Sequence, residues 1–283
     1  MEKKITHPWV YGEPNFLYEK YLRRQDSAWI GHVYFAYDLI FNTSPGLIVE
    51  LGTHRGHSFF SFAQAVKDKG IDTKMYAIDS WEGDKQAGFY GDEIYNNVGK
   101  IAKEFYPAQK INFMRGHFNT FVKDFENNSI DILHIDGLHT YAAVKTDLND
   151  WLPKVKKDGI ILLHDISEKS EGFGVYKLWD EIKLEYKTRE MTHSHGLGVI
   201  FMSEDKYNQF KDNLEFWNAY YPKCHELSIF EEQFRESQAI IDNLDKSEQN
   251  KMEIIQSQEK ELLEVKSSKV WRLRESMRKY IGK

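Results

Sequence analysis

Four side chains near the middle of the chain have residue types and spacing suited to chemistry. They are Asp136 and His139 in the run HIDGLHTY, and His164 and Asp165 in the run ILLHDIS. Each pair follows a short apolar stretch, Asp131–Ile135 (DILHI) and Gly159–Leu163 (GIILL), of the length expected for a buried strand. Open α/β sheets gather ligands and reactive groups outside the carboxyl ends of their strands, so the two pairs should face one space. Two carboxylates and two imidazoles there suit either of two tasks. Aspartate oxygens with an imidazole and waters hold Mg²⁺ or Mn²⁺ in an octahedral shell. The same groups can also exchange protons with a substrate. The plainer reading is that Asp136 caps the helix after it and Asp165 hydrogen-bonds loop amides.

A second set of residues lies earlier, in Gly46–Gly56 (GLIVELGTHRG). Leu47, Ile48, Val49 and Leu51 read as a strand covered on both faces. A glycine-bearing turn comes next, then a helix whose N-terminal amides and positive dipole end favour a polar or anionic ligand. Glu50 is out of place in this apolar run. A buried carboxylate costs several kcal/mol unless paired, so Glu50 marks a ligand site or else points to solvent at the strand end. The next strand, Lys74–Asp79, also ends in an acid, placed where nucleoside-binding α/β folds hold both ribose hydroxyls. Ser80 and Trp81 come after it; Trp81 either lines the pocket or is a buried structural ring. The glycine spacing departs from the dinucleotide fingerprint G-x-G-x-x-G.

The pattern E-x-G-x-x-x-G at Glu50, Gly52 and Gly56 resembles motif I of the class I S-adenosylmethionine (SAM) methyltransferases, with His54 in place of the middle glycine. The runs IVELGTHRGHS, YAIDSW and HIDGLHTYAAVKTDLNDWLPKVKKDGIILLHD make the resemblance more specific. They are similar to the branch that includes macrolide-sugar O-methyltransferases, such as macrocin O-methyltransferase, and the cephalosporin hydroxylases, over roughly residues 45 to 202. The resemblance implies an α/β, Rossmann-like, seven-stranded and mostly parallel sheet that ends in an antiparallel hairpin. It implies that Glu50, Gly52, Thr53, Gly56, Ser58, Asp79, Ser80 and Trp81 surround SAM. It also makes Asp136 and Asp165 metal ligands and His139 a general base. The position before the second acid is usually acidic in that branch. Here it is His164, which joins Asp136 and Asp165 as a candidate ligand to Mg²⁺ or Mn²⁺.

The elements that must position these groups can be read from periodicity. Trp29, Ile30, Val33, Tyr34, Tyr37, Ile40 and Phe41 predict a helix over Ser27–Phe41 with Ser27 as N-cap, within an N-terminal helical cap of residues 1–44. Ser58–Lys69 reads as the helix after motif I, and Ile111–Met114 as a third strand, after which His117 is a surface residue or sits at the pocket rim. Residues 82–100 read as a substrate loop running into a helix near Glu93. Val175, Leu178, Trp179 and Ile182 mark a further helix, and Ser194-His195-Gly196 the turn of the closing hairpin. His193 and His195 read as residues of that turn, the alternative being contact with substrate. The methyltransferase-like domain is expected over 45–222.

Residues 223–283 form a helical tail with a weak coiled-coil seam through Phe234, Ser237, Ile241, Leu244, Glu248, Lys251, Ile255, Gln258, Leu262 and Val265. This seam, in 230–265, could pair two chains, join a partner helix, or belong to a solvated helix. The end, 266–283, sets Val270, Leu273, Met277 and Ile281 among basic residues, a pattern for an anionic membrane surface or a partner. It resembles the S-x-x-W-R tail of bacterial polysaccharide-assembly proteins.

Composition narrows the function classes. With 283 residues, 41% hydrophobic and 14% aromatic, the chain can build one good-sized core. A net charge of −6 supplies no overall basic field for nucleic acid. Cys224 is the sole cysteine, so an intrachain disulfide is excluded. The first residues lack an apolar signal core, and no stretch nears the roughly 18 apolar residues of a membrane span. The expectation is a cytoplasmic enzyme, peripheral at the inner face of the membrane if the tail binds lipid. The expected activity is O-methylation of a sugar hydroxyl in surface-polysaccharide or glycan synthesis. The rivals are a hydroxylase of the cephalosporin type, methylation of nitrogen, and a non-catalytic SAM-fold adaptor.

Overall fold

A computed structural model of the chain describes residues 9–22, 27–84, 88–243 and 248–281. The chain divides into two compact units, Met1–Asn218 and Ala219–Lys283. The first contains strands β1 (Leu47–Leu51), β2 (Lys74–Asp79), β3 (Gly83–Asp84), β4 (Gly88–Phe89), β5 (Lys110–Arg115), β6 (Ile130–Ile135), β7 (Val155–His164), β8 (Lys187–Met191) and β9 (Leu197–Phe201). Seven of these make one sheet in the order β5-β2-β1-β6-β7-β9-β8, and β3 and β4 form a separate two-residue ladder. β1, β2, β5, β6 and β7 run parallel. β9 returns antiparallel between β7 and β8, which is the expected closing hairpin.

The apolar runs of β1, β6 and β7 become central strands because helices cover both of their faces. On one face Val49, Leu51, Leu133, Ile135, Ile161 and Leu163 pack with Val144, Leu148 and Trp151 of α5 (Tyr141–Trp151). Leu178, Trp179 and Ile182 of α6 (Val175–Glu185) complete that layer. Alternate residues point the other way. There the ring of His134 meets Trp29 at 4.4 Å and Phe62, from α2 (His57–Lys69), at 5.9 Å. Of the remaining helices in this unit, α3 spans Asp92–Phe105, α4 Phe118–Phe121 and α7 Glu204–Phe210.

The N-terminal element differs from the helix predicted over Ser27–Phe41. Ser27 is indeed a cap, its hydroxyl accepting from the amide of Trp29, but the first turns, Ala28–His32, are 3₁₀. α1 begins only at Val33 and runs to Thr43. The tighter winding coincides with close packing of Gly31 on the β8–β9 turn, where a Cβ would lie 1.9 Å from Ser194 Oγ. In 82–100 the helix expected near Glu93 is α3, which starts at Asp92, and the loop before it carries the short β3 and β4 strands.

The second unit is helical. α8 (Leu214–Asn243) enters it, followed by α9 (Glu248–Ser267) and α10 (Lys269–Ile281). Gln258 donates to Ser237 Oγ at 2.9 Å, and Phe234 and Leu262 line one small cavity, so seam residues meet within the chain as an antiparallel pair. Leu244 lies outside the described residues, as do the side chains of Ile241, Glu248, Lys251, Val270 and Ile281. Of the tail's apolar set, Leu273 is exposed and Met277 half-buried. Lys266 and Arg274 flank the Trp271 ring. No helix among the described residues is long and apolar enough to cross a membrane.

Gly52 fixes how closely the ends of β1 and β6 approach. Its φ is +90°, and a Cβ would sit 2.0 Å from the Asp136 carbonyl oxygen. Gly52→Ala is expected to cost roughly 2–4 kcal/mol of stability, read as a fall of several degrees in Tm. An unchanged Tm would contradict this packing.

Candidate active site

The β1–α2 turn and the ends of β2 and β6 surround a cavity of about 320 Å³, within the range of small-molecule sites. Gly52, Thr53, Gly56 and Ser58 line it from the turn and the start of α2, Asp79 and Ser80 from the end of β2, and His117 from beyond β5. Asp136 and His139 line it from the loop after β6. Asp79 ties two walls together: Oδ2 accepts from the amide of His54 at 2.8 Å and Oδ1 from that of Trp81 at 2.7 Å. Burial, reinforced by the neighbouring Arg55 charge, lowers the pKa of His54.

Thr53 Oγ1 and Trp29 Nε1, both buried in the lining, have no hydrogen-bond partner among the described residues. Buried polar atoms are almost always satisfied, so this wall fits a ligand that brings its own polar groups. Acids at two strand ends, the turn that runs from Gly52 to Gly56 and these unused polar atoms suit a nucleoside joined to an amino acid.

Two residues predicted for the cofactor lie elsewhere. Glu50 is fully buried beneath the cavity, absent from its lining, with Oε2 2.8 Å from His134 Nδ1. The two are register partners on adjacent strands, so one oxygen of the carboxylate in the apolar run meets an imidazole. Trp81 is also fully buried outside the lining, and its Nε1–H donates to the carbonyl of His54 at 2.9 Å. It shapes the turn from behind. Trp29, Ser27, Tyr90 and Phe118, none of them predicted as site residues, line the cavity instead.

The four residues at the ends of β6 and β7 do converge. His139 Nε2 lies 2.8 Å from Asp165 Oδ2 and 3.5 Å from Asp136 Oδ1. His164 Nδ1 lies 3.3 Å from each of those two oxygens. Asp136, His139 and Asp165 bring one donor atom each within 4.8 Å of one another, a group able to hold a metal ion. Oxygen and imidazole donors of this kind fit a divalent cation. The capping reading of Asp136 is not what the structure has: Thr140 caps α5, its side chain accepting from the amide of Ala143.

The two imidazoles differ in setting. His164 is buried, its Nε2 3.2 Å from the Ser194 carbonyl oxygen. His139 faces the cavity, with the Phe173 ring stacked on it at 4.9 Å. Burial opposes the charge on His139, but hydrogen bonds to Asp136 and Asp165 outweigh it and push the pKa up to about 10. His164 is raised well above the ordinary imidazole value against the same burial, here chiefly by the charges of Asp136 and Asp165. Both aspartates are lowered, since the His164 charge and the imidazole hydrogen bonds overcome their desolvation. Asp165 has φ of +62°, a strained value for a non-glycine residue.

His195, read from the sequence as a turn residue, reaches the cluster: Nδ1 lies 3.1 Å from Asp165 Oδ1 and 3.6 Å from Glu168 Oε2. The two histidines of THSHG are the only signal of this in the sequence, and nothing in that run specifies a partner.

Residues 49–166 match the model of a family described as "Methyltransferase domain". A protein of Sinorhizobium fredii (strain NBRC 101917 / NGR234), described as uncharacterized protein y4gI, is 38% identical over 179 residues. The match takes in 63% of this chain and 20% of that protein, so the chain spans about a fifth of this relative's length. Among solved structures, the SAH-bound Podospora anserina methyltransferase PaMTH1 superposes with a TM-score of 0.51 at 13% identity, over 69% of this chain and 91% of that one. The O-methyltransferase TomG from Streptomyces achromogenes, in complex with SAM, gives 0.46 at 11% identity, over 65% of this chain and 93% of that one. At 13% identity the likeness to PaMTH1 is one of fold.

The raised His139 has a consequence for stability. An unfolded imidazole titrates near 6.5, so this group's contribution is fully present below that pH and is lost as pH rises through about 10. Urea unfolding in chelator should show stability falling across that window, with a smaller slope in His139→Ala. Equal slopes in both proteins would contradict the assignment.

Proposed function

We propose that this chain, whose residues 49–166 form a methyltransferase domain on a class I fold, transfers a methyl group from SAM to a sugar hydroxyl. One observation carries the reading: Asp136 and His139 belong both to the lining of the nucleoside-sized cavity and to the acid–imidazole cluster. Methyl donor and proton acceptor would therefore meet at one wall. The alcohol acceptor, as part of a glycan or its precursor, comes from the resemblance to sugar O-methyltransferases. The lining supports it by mixing apolar faces, Phe118 and Leu138, with polar groups, as a sugar ring requires.

SAM, when bound, supplies a methyl carbon made electrophilic by its sulfonium. Gly52, Thr53, Gly56 and Ser58 surround the amino-acid end, and Asp79 offers carboxylate oxygens to the ribose. A divalent cation held by Asp136, His164 and Asp165 would supply positive charge for orienting hydroxyls and stabilising alkoxide character.

An aliphatic hydroxyl is a very weak acid, so in-line displacement needs a positioned base. His139 is that base. Its Nε2 can accept a proton once the charge of Asp136 and Asp165 is balanced by something other than its own N–H. Phe173 holds the ring in plane while this happens, and the buried His164 stays fixed behind it.

His139→Ala should bind SAM with wild-type affinity by calorimetry while turnover falls on the order of 10²–10⁴-fold. Normal turnover in that variant would overturn the base assignment. Mass analysis of the acceptor should show a gain of one methylene; a gain of one oxygen would overturn methyl transfer in favour of hydroxylation.

A further inference from the structure

His164 stands beside both carboxylates of the cluster, and its hydrogen bonds say which of its nitrogens faces them. Nε2 lies 3.2 Å from the carbonyl oxygen of Ser194, and Nε2 of His32 lies 3.2 Å from that same oxygen. A carbonyl oxygen only accepts, so each of these nitrogens carries a hydrogen. In neutral His164 the lone pair is then on Nδ1, which lies 3.3 Å from Asp136 Oδ1 and 3.3 Å from Asp165 Oδ2.

The ring is held in this orientation from several sides. Trp29 packs against it with ring centroids 5.2 Å apart, and His32 at 5.5 Å. The Ser194 carbonyl is itself anchored, because His193 Nε2 donates to the Gly31 carbonyl at 3.0 Å. Across the cluster, His195 Nδ1 engages Asp165 Oδ1 at 3.1 Å, which leaves Oδ2 for the shared space. Such outer contacts orient ligands and tune a metal site.

We infer that the site takes a first-row transition-metal cation, with His164 Nδ1 as a nitrogen ligand beside Asp136 and Asp165, and discriminates against Mg²⁺. This rests on the reading of the cluster as the metal-assisted side of the methyl-transfer site. Mg²⁺ favours an all-oxygen octahedron and gives up water reluctantly, whereas imidazole suits the later transition ions. Almost any site ranks these ions above Mg²⁺ to some degree. The specific claim is that the nitrogen of His164 widens the gap and that an oxygen in its place narrows it.

The test uses the full-length, metal-free protein titrated calorimetrically with Mg²⁺, Mn²⁺ and Co²⁺, with pulsed paramagnetic resonance on the Mn²⁺ form. The expected result is Co²⁺ binding on the order of 100-fold tighter than Mg²⁺, with a ¹⁴N coupling from a directly bound imidazole. In His164→Asp the Co²⁺:Mg²⁺ ratio should narrow by about tenfold or more and the coupling should vanish. An unchanged ratio in His164→Asp, or no bound metal in the wild type, overturns the inference. So does a wild-type Mn²⁺ spectrum without ¹⁴N coupling, a result that requires no variant to fold. SAM binding measured in parallel separates the two readings. Metal selectivity without SAM binding sinks the methyl-transfer reading alone, and methyl transfer with a Mg²⁺-preferring site sinks this inference alone.

Discussion

Two carboxylates at the ends of adjacent parallel strands, Asp136 and Asp165, are the charge that the surrounding structure must hold. Asp165 is buried and Asp136 half-buried, and leaving such carboxylates unpaired is costly. His139 comes from the loop after β6, His164 from the last position of β7, and His195 from the β8–β9 turn. The sheet order puts β6 beside β7 and β9 beside β7, so three separate stretches of chain deliver imidazoles to one place. The closing hairpin thus has a chemical task as well as that of completing the sheet.

A second acid–imidazole pair bridges β1 and β6. Glu50 and His134 sit fully buried and in register on β1 and β6, and Trp29 lies against both His134 and His164. The 3₁₀ segment Ala28–His32 therefore touches the buried pair and the strand-end cluster together. Its hydrogen bonds to the turn at residues 193–194 link the N-terminal element to the far edge of the domain. The cavity wall at Thr53 and Trp29 rests on that support.

The parts of this arrangement legible in the sequence are those that depend on local pattern. Apolar runs at Leu47–Leu51, Asp131–Ile135 and Gly159–Leu163 mark strands, and the residues just after a parallel strand must lie at its carboxyl end. That rule places Asp79, Asp136, His139, His164 and Asp165. Pairings across the sheet are beyond its reach. Glu50 and His134 are far apart in the chain, and only strand order and register make them neighbours, so the local pattern points Glu50 at a ligand while its actual partner is a histidine. Trp81 escapes for a similar reason: an aromatic after a strand-end acid can face inward or outward, and a positive φ at this residue turns it behind the His54 turn. His195 reads as a turn residue because its partner, Asp165, belongs to another part of the chain. In the second unit the heptad-like spacing is visible, whereas the meeting of Ser237 with Gln258 within one chain is not.

The central claim is that one cavity serves both the nucleoside and the strand-end cluster. A crystal structure with S-adenosylhomocysteine bound tests it most directly. The expected complex has the ribose at Asp79, the amino-acid end along Gly52–Ser58, and the sulfur directed toward Asp136 and His139. A ligand lodged elsewhere, or one whose sulfur points away from those two residues, would contradict it.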